Sequence, residues 1–314
     1  MAAAIDKKAG QGEHTVVADL IAVLVAVTAG QPRVMTVHNG CGLPAGPFAH
    51  DDRSLQSGLR SWVERQTGRS LGYVEQLYTF ADRDRATNGA RVISISYLGL
   101  TREGPDDGAP GWRDWYTYFP WEDHRAGRPC CLDDLLVSRL RVWTKAAPER
   151  TQRRERLRRV AITFGLDHRT WNEDLILQRY ELLYEAGLVA EAPHRGTAGE
   201  ASPLPGQSML FDHRRILATG IARLRAKIKY RPVVFELMPP SFTLLQLQRT
   251  VEALAGRPVH KQNFRRLIAQ QDLVEEIGAM AERTGGRPAK LFQFRRDVVD
   301  ERSVVGTKLP LARA

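Results

Sequence analysis

Apolar positions near the end of the chain recur at helical spacing. Leu244, Leu247, Val251 and Leu254 make one stripe, which predicts an amphipathic helix. Thr243 precedes it as an N-cap, Gly256 closes it, and Pro258 blocks its continuation. Phe264, Leu267 and Ile268 then set the core side of a second helix. That leaves His260, Lys261, Asn263, Arg265 and Arg266 on or beside its other face. A basic stretch follows, with Arg283, Gly285, Gly286, Arg287, Pro288 and Lys290. Its glycines permit a tight turn, so it reads as a hairpin. Helix, turn, polar helix and basic hairpin, in that order, make the pattern of a winged helix-turn-helix.

The earlier pattern is mixed. Val16–Val37 reads as one or two strands broken at Gly30-Gln31-Pro32, and Gly42–Phe48 as a Gly/Pro-rich loop. Leu55–Gly68 is an amphipathic helix. Leu71–Phe80 and Arg91–Leu100 read as strands, the second alternating well, and Trp115–Trp121 as an aromatic strand. From Cys131 to about Ala190 the period turns helical. A Gly/Ser/Pro loop over Gly196–Gln207 follows, then a basic helix over Phe211–Tyr230, and Met238-Pro239-Pro240 ends the connector. The expected class is α+β. Residues 1–13 are a loose tail, 14–230 an effector and dimerisation domain with a helical insertion at about 125–208, and 231–314 the winged helix.

Composition narrows the function. The chain has 314 residues, 43% of them hydrophobic, a net charge of +10 and a pI near 9.8. That length allows two domains with separate cores. The apolar run Val16–Thr28 is too short to span a bilayer and contains Asp19. Three cysteines, Cys41, Cys130 and Cys131, fit a reducing, cytoplasmic setting; the adjacent pair lacks metal-ligand spacing and reads as packing. Thr243–Arg296 carries ten Lys or Arg against five acids. A helix in a major groove needs long donors: Arg and Lys read guanine and Asn reads adenine, while a basic wing meets backbone or minor groove. The competing reading of the same residues is a solvated basic face.

Two blocks carry a resemblance. The loop Gly42–Phe48 and the helix ending in Thr67-Gly68 resemble a Nudix domain, whose helix carries the box G-x5-E-x7-R-E-U-x-E-E-x-G-U. With the box anchored on Gly68, Val63 keeps the hydrophobic position, while Arg53, Trp62, Arg65 and Gln66 fall where the family has glutamates. The blocks FDHRRIL (Phe211–Leu217), RLRAKIKYRP (Arg223–Pro232), FTLLQLQ (Phe242–Gln248), KQNFRR (Lys261–Arg266) and GRPAKLFQF (Gly286–Phe294) resemble the Nudix-related transcriptional regulators of NAD metabolism. The resemblance implies a Nudix-like α/β/α sandwich followed by a winged helix, DNA contact through Lys261, Asn263, Arg265 and Arg266, and ADP-ribose or another NAD-related nucleotide as effector. The chain departs from that pattern between Trp121-Glu122 and Phe211, where about eighty residues intervene. Within them Arg139–Arg169 holds ten Lys or Arg against three acids. This insertion reads as an exposed helical surface, as a second DNA contact, or as a subunit contact.

The carboxylates decide between enzyme and sensor. Pyrophosphate cleavage needs a divalent cation, and Mg²⁺ needs carboxylates to hold it. Glu64 alone remains in the helix, one place off the box, at i,i+4 from Arg60 as an ordinary surface pair. The expectation is a protein with no cofactor and no metal site. In a nucleotide cleft Arg53, Arg60 and Arg91 meet phosphates, and Tyr97, Trp115 or Tyr118 stack a base. The leading reading is a DNA-binding regulator of NAD-related genes, a repressor, working as a homodimer on a near-palindromic double-stranded operator, with no membrane. The alternatives are an atypical Nudix hydrolase of nucleoside diphosphate derivatives and a ligand-free nucleic-acid binder whose Nudix-like domain only dimerises.

Overall fold

The computed structural model describes residues 16–81, 91–102, 111–193, 204–229, 233–281 and 288–295. The strand β1 (Val16–Thr28) is its axis. Both of its faces are buried, which is why it reads as a continuous apolar run. Leu20, Ala22, Leu24 and Ala26 face one core, and Ile21, Val23 and Val25 the other. Ala29 and Gly30 turn the chain at positive φ into β2 (Gln31–Met35), so the break falls just ahead of Gln31-Pro32. The strand β3 (Ala45–Pro47) forms inside the expected Gly/Pro loop and pairs with β1.

The helix α1 (Leu55–Thr67) starts at a capping box between Ser54 and Ser57 and ends at Gly68, in the left-handed region. After it come β4 (Tyr73–Phe80), β5 (Arg91–Leu100) and β6 (Trp112–Asp114). The sheet runs β4-β5-β1-β2-β6, with β1 and β5 parallel from Val16↔Arg91 to Val25↔Leu100. Leu59 and Val63 of α1 cover one face. The other is covered by α5 (His213–Ile228), where Gly220 lets the helix approach Val23 closely; an added Cβ would lie 2.8 Å from its Cγ1.

The segment Trp115–Trp121 is not a strand. It forms two short 3-10 turns, Trp115–Thr117 and Pro120–Glu122, the first capped by Asp114 accepting from the Tyr116 amide at 2.9 Å. Trp115, Tyr116, Tyr118, Phe119 and Trp121 all enter one core, so nothing there selects the alternation of a strand.

The intervening region is helical, as the sequence predicts. A π-turn at Leu132–Val137 leads into α2 (Ser138–Lys145), then α3 (Arg150–Thr163) and α4 (Ile176–Glu185). Phe164, Tyr180 and Leu183 share the core of Phe119 and Trp121. At its centre Glu122 sits fully buried between Arg179 (2.6 and 2.8 Å) and Arg225 (2.7 Å). Burial works to raise the Glu122 carboxyl, but the two guanidiniums, Arg179 foremost, hold it below the ordinary carboxylate value.

The C-terminal region contains α6 (Leu244–Ala255), α7 (Lys261–Gln271), β7 (Val274–Ala281) and β8 (Ala289–Phe294). Phe242 bridges to Phe292 through reciprocal backbone bonds of 2.9 and 2.8 Å, and its ring lies 4.5 Å from that of Phe294. The end of α6 is pinned to the body. Tyr116 donates to the Ala253 carbonyl at 2.7 Å, Arg225 to Leu254 at 3.0 Å and the His124 amide to Gly256 at 2.7 Å. Gly256 has φ +73, and a Cβ there would lie 2.5 Å from the Glu122 carbonyl oxygen, so glycine is required twice over.

Candidate nucleic-acid interface and ligand cleft

The turn between α6 and α7 is built by side chains. Thr243 and Gln246 make a capping box at the start of α6. At its end Glu252 accepts from the Val259 amide at 2.9 Å and from Gln248 at 3.0 Å. The entry angle of α7 is therefore fixed by hydrogen bonds as well as by burial of Phe264. Lys261, Asn263, Arg265 and Arg266 are all exposed, and His260 stands exposed at the N-cap without a capping side-chain bond. None of the five side chains has a hydrogen-bond or ion-pair partner among the described residues. Leu267, expected in the core, is 50% exposed; Phe264 and half-buried Ile268 seat the helix without it. With Phe264 pointing inward, helical geometry sets Gln262 and Arg266 opposite it, with Asn263 and Arg265 on the two flanks. Gln262 is a donor that the sequence reading did not single out.

The hairpin β7–β8 is antiparallel, with an irregularity between Glu276 and Met280 where Gly278 takes φ +72. Lys290 is exposed but pairs with Glu276 at 2.9 Å. Arg283, Gly285, Gly286 and Arg287 lie outside the described residues, and the hairpin tip with them.

The face of α1 that would carry a metal in a Nudix box does something else here. Trp62 donates to the Pro47 carbonyl at 2.8 Å and covers Gly46. Arg65 stacks on that indole, its guanidinium carbon 4.1 Å from the ring centroid. Gln66 holds both backbone groups of Ala45, accepting at 3.0 Å and donating at 2.8 Å. Glu64 is exposed. These side chains fasten β3 to α1. Among the described residues no group of three or more His, Cys, Asp or Glu is placed to hold a metal ion, and no helix is long and apolar enough to cross a membrane. Of the adjacent cysteines, read as packing residues for want of metal-ligand spacing, Cys130 is exposed and Cys131 half-buried.

The structure disperses the residues expected at an effector site. Tyr97 is buried between the sheet and α1. Trp115 is fully buried. Tyr118 is buried too; its hydroxyl donates to the Gly40 carbonyl at 2.7 Å, and burial pushes its phenol up to about 12. None of the three presents a ring for stacking. Arg60 donates to the carbonyls of Leu71 and Gly72, and Arg91 to that of Ala81 at 3.1 Å. Arg53 is exposed ahead of α1. Short-range alternation made these side chains look available, and their long-range partners are what occupy them.

The open cleft lies elsewhere. A cavity of about 980 Å³ opens between β1, β3, the end of α1, α4 and the start of α5. Asp19, Gln66, Tyr184, Phe211, His213 and Arg215 line parts of it. Phe211 is 81% exposed and has φ +49, a conformation rare for a bulky residue. His213 accepts the Leu43 amide at Nδ1 (2.9 Å), which ties the loop after β2 to α5. Arg215 is paired with Glu181 at 2.8 Å. The block FDHRRIL, noted for its resemblance, therefore forms one wall of this cleft; its aromatic-acid-His order was the one available signal.

Comparison with known proteins agrees with this architecture. Residues 234–294 match the family described as the NrtR DNA-binding winged helix domain. A curated relative, the ADPR responsive transcriptional repressor NtrR of Acinetobacter baylyi, is 38% identical over 86 residues, which is 27% of this chain and 34% of that protein. The chain thus aligns with about a third of that relative's length. The crystal structure of Shewanella oneidensis NrtR complexed with a 27mer DNA superposes with a TM-score of 0.50 at 20% identity, over 90% of this chain and 95% of that one. A MutT/nudix family protein from Enterococcus faecalis gives 0.50 at 17% identity, over 92% and 90%. At those identities the likeness is one of fold. The chain is an α+β protein in which a Nudix-like body precedes a winged helix, residues 234–294 of which are similar to the NrtR winged helix domain.

Proposed function

We propose that the protein is a DNA-binding transcriptional repressor of NAD-related genes, in which a non-catalytic Nudix-like domain senses ADP-ribose or a related nucleotide. The observation that carries the reading is α7. Lys261, Asn263, Arg265 and Arg266 stand exposed and unpartnered among the described residues, on a helix whose angle is set by Glu252 and Phe264. Donors held ready in that way match base edges and phosphates. His260 at the helix start and the wing residues Arg287 and Lys290 belong to the same contact. The domain borders proposed are 14–230 and 231–314, the body supplying the surface of a homodimer. Two recognition helices then meet successive major grooves about 34 Å apart.

The effector belongs in the 980 Å³ cleft, with Phe211 or Tyr184 against a base and Arg215 near phosphate. Arg53 stands exposed ahead of α1, outside the lining of that cleft. Of the other residues first expected there, the buried aromatics and the two bonded arginines take supporting roles. The absence of catalysis follows from Trp62, Arg65 and Gln66, which pack and clamp β3 where a hydrolase needs carboxylates.

With Mg²⁺ or Mn²⁺ present, ADP-ribose should survive incubation with the protein. Turnover near one per second or faster, abolished by Glu64→Gln, would overturn the sensor reading. Calorimetric titration of ADP-ribose with and without operator should give affinities differing by about 5–150-fold, with DNA and nucleotide opposing each other reciprocally. Equal affinities in the two titrations would leave a constitutive DNA binder.

A further inference from the structure

We propose that α3, in the helical insertion, is a second DNA-contacting element that grips the phosphate backbone of duplex flanking the operator. This rests on the DNA-binding reading above. Arg150, Arg153, Arg154 and Arg158 are all exposed, and their spacing of three, four and eight residues places them along one face of the helix. That face is about 12 Å long at helical rise. None of the four side chains has a hydrogen-bond or ion-pair partner among the described residues. The other side of the same helix is fastened down. Arg156 donates to the Trp143 carbonyl at 2.9 Å and stacks on its ring at 4.2 Å, while Arg159 pairs with Glu185 of α4. The helix is thus anchored by two arginines and presents four.

Like charges at i,i+4 destabilise a helix, and Arg150, Arg154 and Arg158 make two such pairs. Glu155 is the one acid within α3. Exposed Arg141 and Lys145 of α2 add to the same basic region. Such a face attracts anions, and a duplex that meets it releases the counter-ions condensed on its phosphates. A membrane surface is the poorer fit: Leu157 and Ile162 are exposed, but they form no continuous apolar stripe of the kind that enters an interface.

The position of α3 is tied to α6, the helix against which the recognition helix α7 is set. The Thr163 carbonyl at its end accepts from Arg179 at 2.8 Å, Arg179 pairs with Glu122, Glu122 with Arg225, and Arg225 donates to Leu254 at the end of α6. The first of these contacts is half-buried and the rest are buried. Two grips on one rigid platform meet the same duplex at a fixed offset, which is how a short recognition helix gains affinity beyond its own site.

The test compares the full-length protein with the quadruple variant Arg150→Gln/Arg153→Gln/Arg154→Gln/Arg158→Gln. The probes are an operator selected from genomic fragments, trimmed to its recognition sequence, and the same operator with arbitrary flanks. The unchanged protein should bind the flanked duplex more tightly. The variant should lose that advantage, with a salt slope lower by about three to four units on the flanked duplex, and bind the trimmed one as before. Its thermal melt should be no lower than that of the unchanged protein. Equal binding of the flanked duplex by both proteins overturns the proposal. So does a variant that binds duplex normally but falls from dimer to monomer in light scattering, which would make α3 a subunit contact, or one that instead loses an acidic protein partner. Failure of the unchanged protein to bind any duplex overturns the DNA-binding reading itself. Binding that ignores the flanks leaves that reading standing and removes α3 from it.

Discussion

Glu122→Gln should lower the stability of the folded chain by about 3–5 kcal/mol, because it leaves two buried guanidiniums without their counter-charge. Glu122, Arg179 and Arg225 have fully buried side chains. Both Arg179 and Arg225 also donate to backbone carbonyls, of Thr163 and Asn172 and of Leu254 and Glu173, so neither is free to swing out to water. The variant keeps the shape and removes the charge. Urea denaturation measures the loss, and a variant within about 0.5 kcal/mol of the unchanged protein would show that the charge is unimportant. Acid should act through the same group. The folded Glu122 carboxyl is held below its ordinary value of 4.5. Its contribution is therefore complete above that value and is lost as pH falls below it toward the depressed folded one. The Gln variant should lack this part of the acid sensitivity. Replacing all three residues by apolar ones of similar volume should recover much of the loss, since a buried ion network is often no more stable than good packing.

That network also marks the limit of what the sequence makes legible. The helix Leu55–Gly68 and the strand Arg91–Leu100 could be placed from the chain because their signals are local: a cap at each end, or a strict alternation. The order of α6, α7 and the hairpin was legible for the same reason. Trp115–Trp121 was not, since a run of seven residues in which five aromatics enter one core mimics a strand. Glu122, Arg179 and Arg225 gave no sign either, because charged residues are read as surface unless their partners are known, and Glu122 lies 57 positions from Arg179 and 103 from Arg225. The cleft was hidden likewise. Its lining comes from β1, β3, α1, α4 and α5, and no window of sequence contains more than one wall.

On α7 the sequence and the structure converge, and they set a sharp expectation. Asn263→Ala and Arg265→Ala should each weaken operator binding by about 1–3 kcal/mol and relax its sequence preference, the signature of lost base contacts. Both side chains are exposed and unpartnered among the described residues. Truncating them should therefore change folding stability by no more than about 0.5 kcal/mol, so the loss of affinity reads directly as lost contact. Lys261 differs by position. It opens the helix, beside exposed His260, on the side nearer Phe264. A lysine at a helix entry meets backbone phosphate, so Lys261→Ala should weaken operator and random duplex alike and lower the salt slope by about one unit. Arg266 and Gln262, opposite Phe264, are placed to reach deepest, and Arg266→Ala should behave as Arg265→Ala does. Competition binding against operator variants with single base changes, at two salt concentrations, separates the two classes. If Asn263, Arg265 and Arg266 can all be truncated with the base preference intact, α7 is not the reading helix. The exposed donors on it would then be no more than a solvated basic face.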